Sequence, residues 1–323
     1  MSTVSPLASG RPVRVDTSAS VLPVACWAAL GAIVALFSLS VFGQWILSPA
    51  EFAAVPIREA DAMAGNGVLL IRGLEVVSTS VALWAFWNYL VRPWMKNGEA
   101  PILGLLLIAA LITYVFDTMV NYGGYWMAFN KHSIDWGTWA AFFPGHTGPT
   151  RYAEALFWGP PMYLYFGIAL AEIQLRIWNR LEARRVAPSV MVAVVFAAAF
   201  LFDLVAESAI IQGTEAYAWP TTVGALTIWK GEQFQFPLYE SFLVGCYATL
   251  YMFLMRSARN HPRSFIERGV DRVPAGLRLP VRLLAATGFA AVCTLVYFGG
   301  FVIISQWADN TVAIPSYLMF DGR

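Results

Sequence analysis

Two carboxyl groups stand four residues apart in the segment FDLVAES, at Asp203 and Glu207. Side chains at this spacing project from the same face of a helix. In apolar surroundings two neighbouring carboxyl groups do not both ionise, so one is expected to keep its proton at neutral pH. A protonated carboxyl group beside an ionised one can act as a general acid. The segment therefore predicts proton-transfer chemistry.

Three other segments contribute acids that we expect to share this site. FDTMVNY carries Asp117, RYAEALFWGPPMYLYFG carries Glu154, and GEQFQFPLYES carries Glu240. The predicted catalytic residues are Asp203, Glu207, Asp117, Glu154 and Glu240. Polar and aromatic residues near them are the predicted substrate-binding residues: Arg72, Glu75, Asn121, Tyr122, Tyr152, Tyr163, Glu232 and Tyr239.

Several of these residues also have a purely structural explanation. Arg72 and Glu75 are three residues apart, so on a helix they can form an ion pair. Glu154 and Glu232 fall near the ends of apolar segments, where water can solvate a carboxylate. Asp117, Asp203 and Glu207 differ, because an acid inside a membrane is costly and marks a functional site by default.

Seven apolar segments must position these residues. Each is close to the ~20 residues that cross a bilayer core as a helix. Hydrophobic residues make up 58% of the chain and charged residues only 13%, roughly half the charge of a soluble domain. We therefore predict an all-α polytopic membrane protein, a seven-transmembrane helix bundle. The segments are residues 22–47, 68–91, 101–127, 155–178, 187–211, 236–256 and 281–304.

The Lys and Arg residues alternate between successive connections. They concentrate before the first segment and in the connections 2–3, 4–5 and 6–7. The positive-inside rule therefore predicts a cytoplasmic N-terminus and an outer C-terminus, which brings the acids into the outer half of the bilayer. We expect a mobile cytoplasmic tail (1–20), a membrane domain (21–306) and an outer tail (307–323). Long aromatic loops at 128–154 and 212–235 are expected to cover a cavity on the outer side.

Composition also argues against several classes of function. The three histidines lie outside the apolar segments, as do the three lysines, so a membrane di-iron centre and a retinal Schiff base are not expected. Neither a DDxxD motif nor a phosphate-binding loop is present. A net charge of +1 offers no basic field for nucleic acid. We expect no metal and no cofactor.

Four segments resemble the AveC-type spirocyclases, a family of bacterial multi-span membrane proteins. These are FDTMVNY, RYAEALFWGPPMYLYFG, FDLVAES and GEQFQFPLYES, which are distributed over apolar segments 3–6, about half of the chain. The resemblance implies cofactor-independent, acid-catalysed closure of a dihydroxy ketone to a spiroketal. It also implies a lipophilic polyketide-like substrate and a location in the bacterial cytoplasmic membrane.

Two alternatives stay open at this point. The same acids suit a membrane cyclase or isomerase that acts on an isoprenoid-like substrate. They also suit a protein without catalytic activity, such as a proton-coupled carrier or a lipid-binding protein. A carrier needs access from both sides, and the inner halves of the segments are almost free of charge apart from Glu172.

Overall fold

The computed structural model describes residues 20–320, so the predicted tail before residue 20 lies outside the described part. Within that part, seven helices have 20 or more residues. A π-helical turn at Trp87–Val91 interrupts α2, and α3 ends as a 3-10 helix over Tyr114–Asn121. The helices are α1 (Leu22–Ile46), α2 (Gly67–Asn97), α3 (Ile102–Asn121), α4 (Gly159–Ala183), α5 (Pro188–Thr214), α6 (Leu238–Asn260) and α7 (Ala275–Ser305).

Six of these helices are long and apolar enough to cross a membrane. The exception is α4, whose second half carries Glu172, Arg176 and Arg180. The predicted all-α membrane bundle is confirmed, whereas the count of seven spans and the sides of the two termini stay predictions.

Two helices that begin away from the predicted residue carry prolines near their starts. The fourth segment was expected from residue 155, but α4 begins at Gly159 with Pro160 and Pro161 in its first turn. Proline suits that position, because the first backbone N–H groups of a helix have no partner within the helix. By contrast, α7 begins at Ala275 and continues through Pro280, so it starts before the predicted residue 281.

The bundle has a buried centre formed by α3, α6 and α7. Helix α7 packs against α1, α3 and α6, and α6 also packs against α4 and α5. The closest helix contact joins α1 to α7 through Gly31 and Gly288. A Cβ atom on Gly31 would lie 1.8 Å from the carbonyl oxygen of Leu284, so glycine is required there.

Helix α5 shows how the local sequence aims the predicted acids inward. Its buried residues recur every four positions along one face, as in Ala199, Asp203, Glu207 and Ile211. The opposite face is apolar and exposed, for example at Val205, as expected for a surface that contacts lipid. The polar stripe of α5 therefore faces the interior of the bundle.

Long loops cover one end of the bundle, which we call the long-loop end. Three short antiparallel strand pairs hold these loops together: Ala128–Phe129 (β1) with Tyr217–Ala218 (β2), Thr221–Thr222 (β3) with Asn310–Thr311 (β6), and Thr227–Ile228 (β4) with Phe236–Pro237 (β5). The segment after α7 thus packs on the loop between α5 and α6. A buried ion pair adds to this layer, because Lys131 Nζ lies 3.1 Å from Asp61 Oδ2.

The negative charge of Asp61 is compensated by its neighbours in the loop layer. Burial opposes its ionisation, but the backbone N–H of Arg58 and the Lys131 ammonium group hold the pKa of Asp61 below its ordinary value. The pair therefore supports the loop layer at neutral pH.

A network of ion pairs closes the other end, which we call the arginine end. Arg282 Nε lies 2.7 Å from Glu267 Oε1, and its Nη1 lies 2.5 Å from Glu99 Oε1. Arg263 contacts Glu99 and Asp271 at 2.6 and 2.7 Å. These contacts tie the connection between α2 and α3 to the connection between α6 and α7.

Candidate active site

Three buried carboxyl groups from two helices form the centre of the site. Asp203 and Glu207 come from α5, and Glu240 comes from the first turn of α6. One carboxylate oxygen of each lies within 4.8 Å of the others. We call these three residues the carboxyl trio. The predicted pairing of Asp203 with Glu207 is thus extended by a third acid.

Asp117 and Glu154 form a second group of buried acids, which we call the carboxyl pair. The Asp117 carboxyl group, near the end of α3, lies next to the Glu154 carboxyl group and the Tyr163 hydroxyl. Glu154 is completely buried, although it lies in the loop before α4. The structural explanation for Glu154, a solvated carboxylate at the interface, therefore does not hold.

Hydroxyl groups orient most of these acids. Tyr217 Oη donates to Glu207 Oε2 at 2.6 Å, and Tyr297 Oη donates to Glu240 Oε1 at 2.8 Å. In the pair, Tyr114 Oη donates to Glu154 Oε1 at 2.8 Å. These bonds fix which oxygen of each carboxyl group accepts a hydrogen bond.

Ser241 joins two members of the trio. Its hydroxyl donates to Asp203 Oδ2 at 2.7 Å and lies 3.5 Å from Glu240 Oε2. Because Ser241 follows Glu240 directly in the chain, the first turn of α6 supplies both an acid and the hydroxyl that positions its neighbour.

None of these five acids forms an ion pair with a Lys or Arg among residues 20–320. Asp117 Oδ2, Glu154 Oε2 and Asp203 Oδ1 are buried and have no hydrogen-bond donor. A buried carboxylate without compensation costs several kcal/mol, roughly. Protons shared between neighbouring carboxyl groups would satisfy these oxygens and remove the repulsion.

Three of the five acids line a pair of adjoining cavities, which we call the carboxyl chamber. Asp203 and Glu154 lie next to these acids but line neither cavity. Glu207 and Glu240 line the first cavity, and Asp117 and Glu207 line the second. Met162, Tyr163, Glu207 and Tyr297 line both. Each cavity has a volume of about 30 Å³, which is room for only a few water molecules. The chamber is thus closed to a substrate in this conformation.

The predicted substrate-binding residues are only partly brought together. Tyr163 lines the chamber. Tyr152 contacts Thr118, and Tyr239 contacts Ser305, within the surrounding core. Glu232 lines a separate cavity at the surface.

The remaining four predicted binding residues hold loops and helices in place. Arg72 Nη1 lies 2.6 Å from Glu75 Oε2, and Glu75 also accepts from the backbone N–H of Ile134. The Asn121 side chain bonds the backbone of Trp126 and Met127. The Tyr122 hydroxyl donates to the carbonyl of a loop proline. The structure therefore favours the ion-pair explanation for Arg72 and Glu75.

Four residues that bond the acids are absent from the predicted set: Tyr114, Tyr217, Ser241 and Tyr297. Tyr297 lies in α7, a segment without acids, and Tyr217 lies in a loop whose path depends on the β1–β2 pairing. Ser241 and Tyr114 carried a usable signal, since Ser241 stands next to Glu240 and Tyr114 stands three residues before Asp117.

The trio also has the ligand chemistry of a site for a hard divalent cation. Such ions prefer carboxylate oxygens, and the three side chains each offer one oxygen within a common radius. Protons and a cation are therefore the two ways to neutralise the trio, and they predict different responses to chelation.

The chain matches one protein family over most of its helices. Residues 100–318 match the family model described as "Spirocyclase AveC-like". The matched region includes all five acids and every tyrosine that contacts them. No curated protein and no solved structure matches this chain.

Proposed function

Because the chain belongs to the AveC-like spirocyclase family, we propose that it is a membrane-embedded cyclase that works by proton transfer between buried carboxyl groups. The observation that carries this proposal is that Asp117 and Glu207 line one cavity without any cationic partner among the described residues. Such a site can both donate and accept protons.

The proposed reaction begins on a ketone that carries two hydroxyl groups. A protonated carboxyl group of the trio gives its proton to the ketone oxygen while one hydroxyl adds to the carbonyl carbon. The proton of that hydroxyl passes to an ionised carboxylate, so a hemiketal forms and the total number of protons on the site is unchanged. General acid–base catalysis of this kind contributes about 10²–10⁴-fold.

The second ring closes by loss of water. A carboxyl group protonates the hemiketal hydroxyl, the C–O bond breaks, and water leaves an oxocarbenium ion. Ionised carboxylates stabilise this cation. The second hydroxyl then attacks the carbon and returns its proton to a carboxylate. One water is released for each spiroketal, and no oxidant or cofactor is consumed.

The surroundings of the chamber suit a lipophilic substrate. Phe166, Val244 and Met162 line it beside the acids, and apolar walls limit quenching of the cation by bulk water. We propose a polyketide-like or isoprenoid-like small molecule as substrate, taken up from the lipid bilayer of a bacterial cytoplasmic membrane. Nucleic acid has no part in this function.

Carboxamide variants test the proposal. With an alkyl dihydroxy ketone as probe, Asp203→Asn and Glu207→Gln are each expected to lower spiroketal formation by about 10²–10⁴-fold. The double variant should be little slower than either single variant, because groups that act as a unit are not additive. Glu75→Gln, outside the chamber, is the matched control.

The same assay separates protons from a metal. If protons neutralise the trio, a chelator leaves turnover unchanged and added Mg²⁺ or Ca²⁺ does not accelerate it. Wild-type turnover in Asp203→Asn would contradict the proposal. Loss of turnover on chelation would show that the trio binds a metal ion that the reaction requires. Uptake of the unchanged probe into vesicles would instead favour the carrier.

A further inference from the structure

A second cavity lies at the long-loop end beside the carboxyl chamber, and we call it the vestibule. It has a volume of about 430 Å³, which is within the range of small-molecule sites. Each cavity of the chamber holds only about 30 Å³. The ligand-sized space near the acids is therefore the vestibule.

Tyr217 belongs to the walls of both spaces. Its side chain lines the vestibule and the second cavity of the chamber, and its hydroxyl donates to Glu207 Oε2 at 2.6 Å. Helix α5 connects the same two spaces, since Glu207 lines the chamber and Ile211, one turn later, lines the vestibule. The Tyr217 side chain and one turn of α5 thus lie between the ligand-sized cavity and the trio.

The backbone of Tyr217 is fixed by strand pairing, whereas its hydroxyl group makes one hydrogen bond, to Glu207. Tyr217 pairs with Phe129 in the β1–β2 ladder, and its ring stacks on Trp158 at 5.4 Å. Opening between the two cavities therefore requires rotation of the side chain and replacement of the bond to Glu207. A hydroxyl group from a ligand can replace that bond with the same chemistry.

The vestibule differs from the chamber in its polar lining. Gln212, Glu215, Glu232 and Gln233 line it, and no Lys or Arg does so among the described residues. Amide and carboxylate side chains accept hydrogen bonds from hydroxyl groups, and two carboxylates repel an anion. The lining favours a neutral, hydroxyl-bearing ligand over a carboxylate.

We propose that the vestibule binds the hydroxyl-bearing end of the substrate and that Tyr217 is the gate between this subsite and Glu207. A substrate hydroxyl displaces the Tyr217 hydroxyl from Glu207, and the water formed in the reaction leaves by the same path. This inference rests on the proposed function for the identity of the reaction. The subsite and its gate are tested by binding and access alone.

Thiol labelling measures access without turnover. In a background lacking Cys26, Cys246 and Cys293, Val244→Cys reports on the chamber and Gln233→Cys on the vestibule. With a small water-soluble thiol reagent on protein in nanodiscs, Tyr217→Phe should accelerate labelling at position 244 by about tenfold, the equivalent of one lost hydrogen bond. Tyr217→Ala should accelerate it further.

The controls separate gating from unfolding. Labelling at position 233 should be unchanged in both Tyr217 variants, and Tyr122→Ala, which alters another tyrosine of the long-loop end, should not accelerate labelling at position 244. Unchanged labelling at 244 in Tyr217→Ala would overturn the gate. Acceleration by a lipophilic reagent alone would assign access to the membrane instead.

Protection of the vestibule tests the class of ligand. A long-chain diol should slow labelling of Gln233→Cys, and a fatty acid of the same length should not. Equal protection by both compounds, or by neither, would overturn the subsite. Labelling involves no turnover, so a failure of the catalytic proposal and a failure of the vestibule proposal are distinguishable.

Discussion

Buried acids lie at both ends of the bundle, but their neutralisation differs. At the arginine end, Glu267 is 3% exposed and lies against the guanidinium group of Arg282, which is itself buried. In the carboxyl chamber, Glu240 is fully buried and its partners are Tyr297, Ser241 and other acids. The same residue type is thus stabilised by a cation in one region and left beside like groups in the other.

Under the proposed function, the ion-paired acids hold the fold and the acids without a cation are available for chemistry. The charge of a carboxylate that lies against a buried guanidinium group is compensated within the fold. A carboxyl group among other acids is expected to keep a proton that it can give to a substrate. Buried acids without a cationic partner are a pattern expected of a catalytic site.

Matched substitutions of one glutamate in each region give the largest expected effects. Glu240→Gln should leave the thermal midpoint unchanged or raise it, because a neutral amide relieves repulsion, and should lower turnover by about 10²–10⁴-fold. Glu267→Gln should destabilise the protein by about 3 kcal/mol, because Arg282 loses its buried partner but keeps Glu99. Turnover per folded molecule should stay at the wild-type level.

Thermal unfolding and turnover of the same preparations measure this contrast. If Glu240→Gln unfolds as readily as Glu267→Gln, the trio is a structural element and the two ends do not differ. If Glu240→Gln keeps full turnover, Glu240 is not part of the reacting group.

Substitution of a tyrosine that lines the chamber is expected to lower turnover by a smaller factor. Tyr297→Phe removes the hydrogen bond to Glu240 and should lower turnover by about tenfold, the equivalent of one hydrogen bond of roughly 1.4 kcal/mol. Tyr247→Phe is the matched control, because Tyr247 also lines the first cavity and contacts Tyr251 rather than an acid. Rates on the dihydroxy ketone probe distinguish them, and equal losses would show that the tyrosines act through packing alone.

The sequence alone predicts the position of some of these acids and the helical bundle that holds them. The spacing of Asp203 and Glu207 places both on one face of α5, since helical geometry alone decides this. Long apolar segments likewise predict the bundle, because backbone groups in lipid must be satisfied within a helix. Such local rules apply without knowledge of the tertiary structure.

Long-range pairing explains what could not be predicted. Asp117 meets Glu154 and Glu207 meets Tyr217 only after the loops are fixed by short strand pairs such as β1 with β2. Glu75 was a candidate for binding, but the structure uses it to bond Arg72 and the backbone of a long loop. Polar residues predicted at the same depth in the membrane can thus either line the chamber or bond the loops. Their spacing in the sequence does not distinguish these two roles.

The central claim, that protons neutralise the chamber acids, is tested most directly by infrared difference spectroscopy of the purified protein in nanodiscs at neutral pH. We predict a C=O stretching band of protonated carboxylic acid in the wild type that is diminished in Glu207→Gln and Asp117→Asn and retained in Glu267→Gln. The band should be indifferent to chelator, Mg²⁺ and Ca²⁺. Loss of only ionised carboxylate bands in the chamber variants, or displacement of the acid band by a divalent cation, would contradict the account.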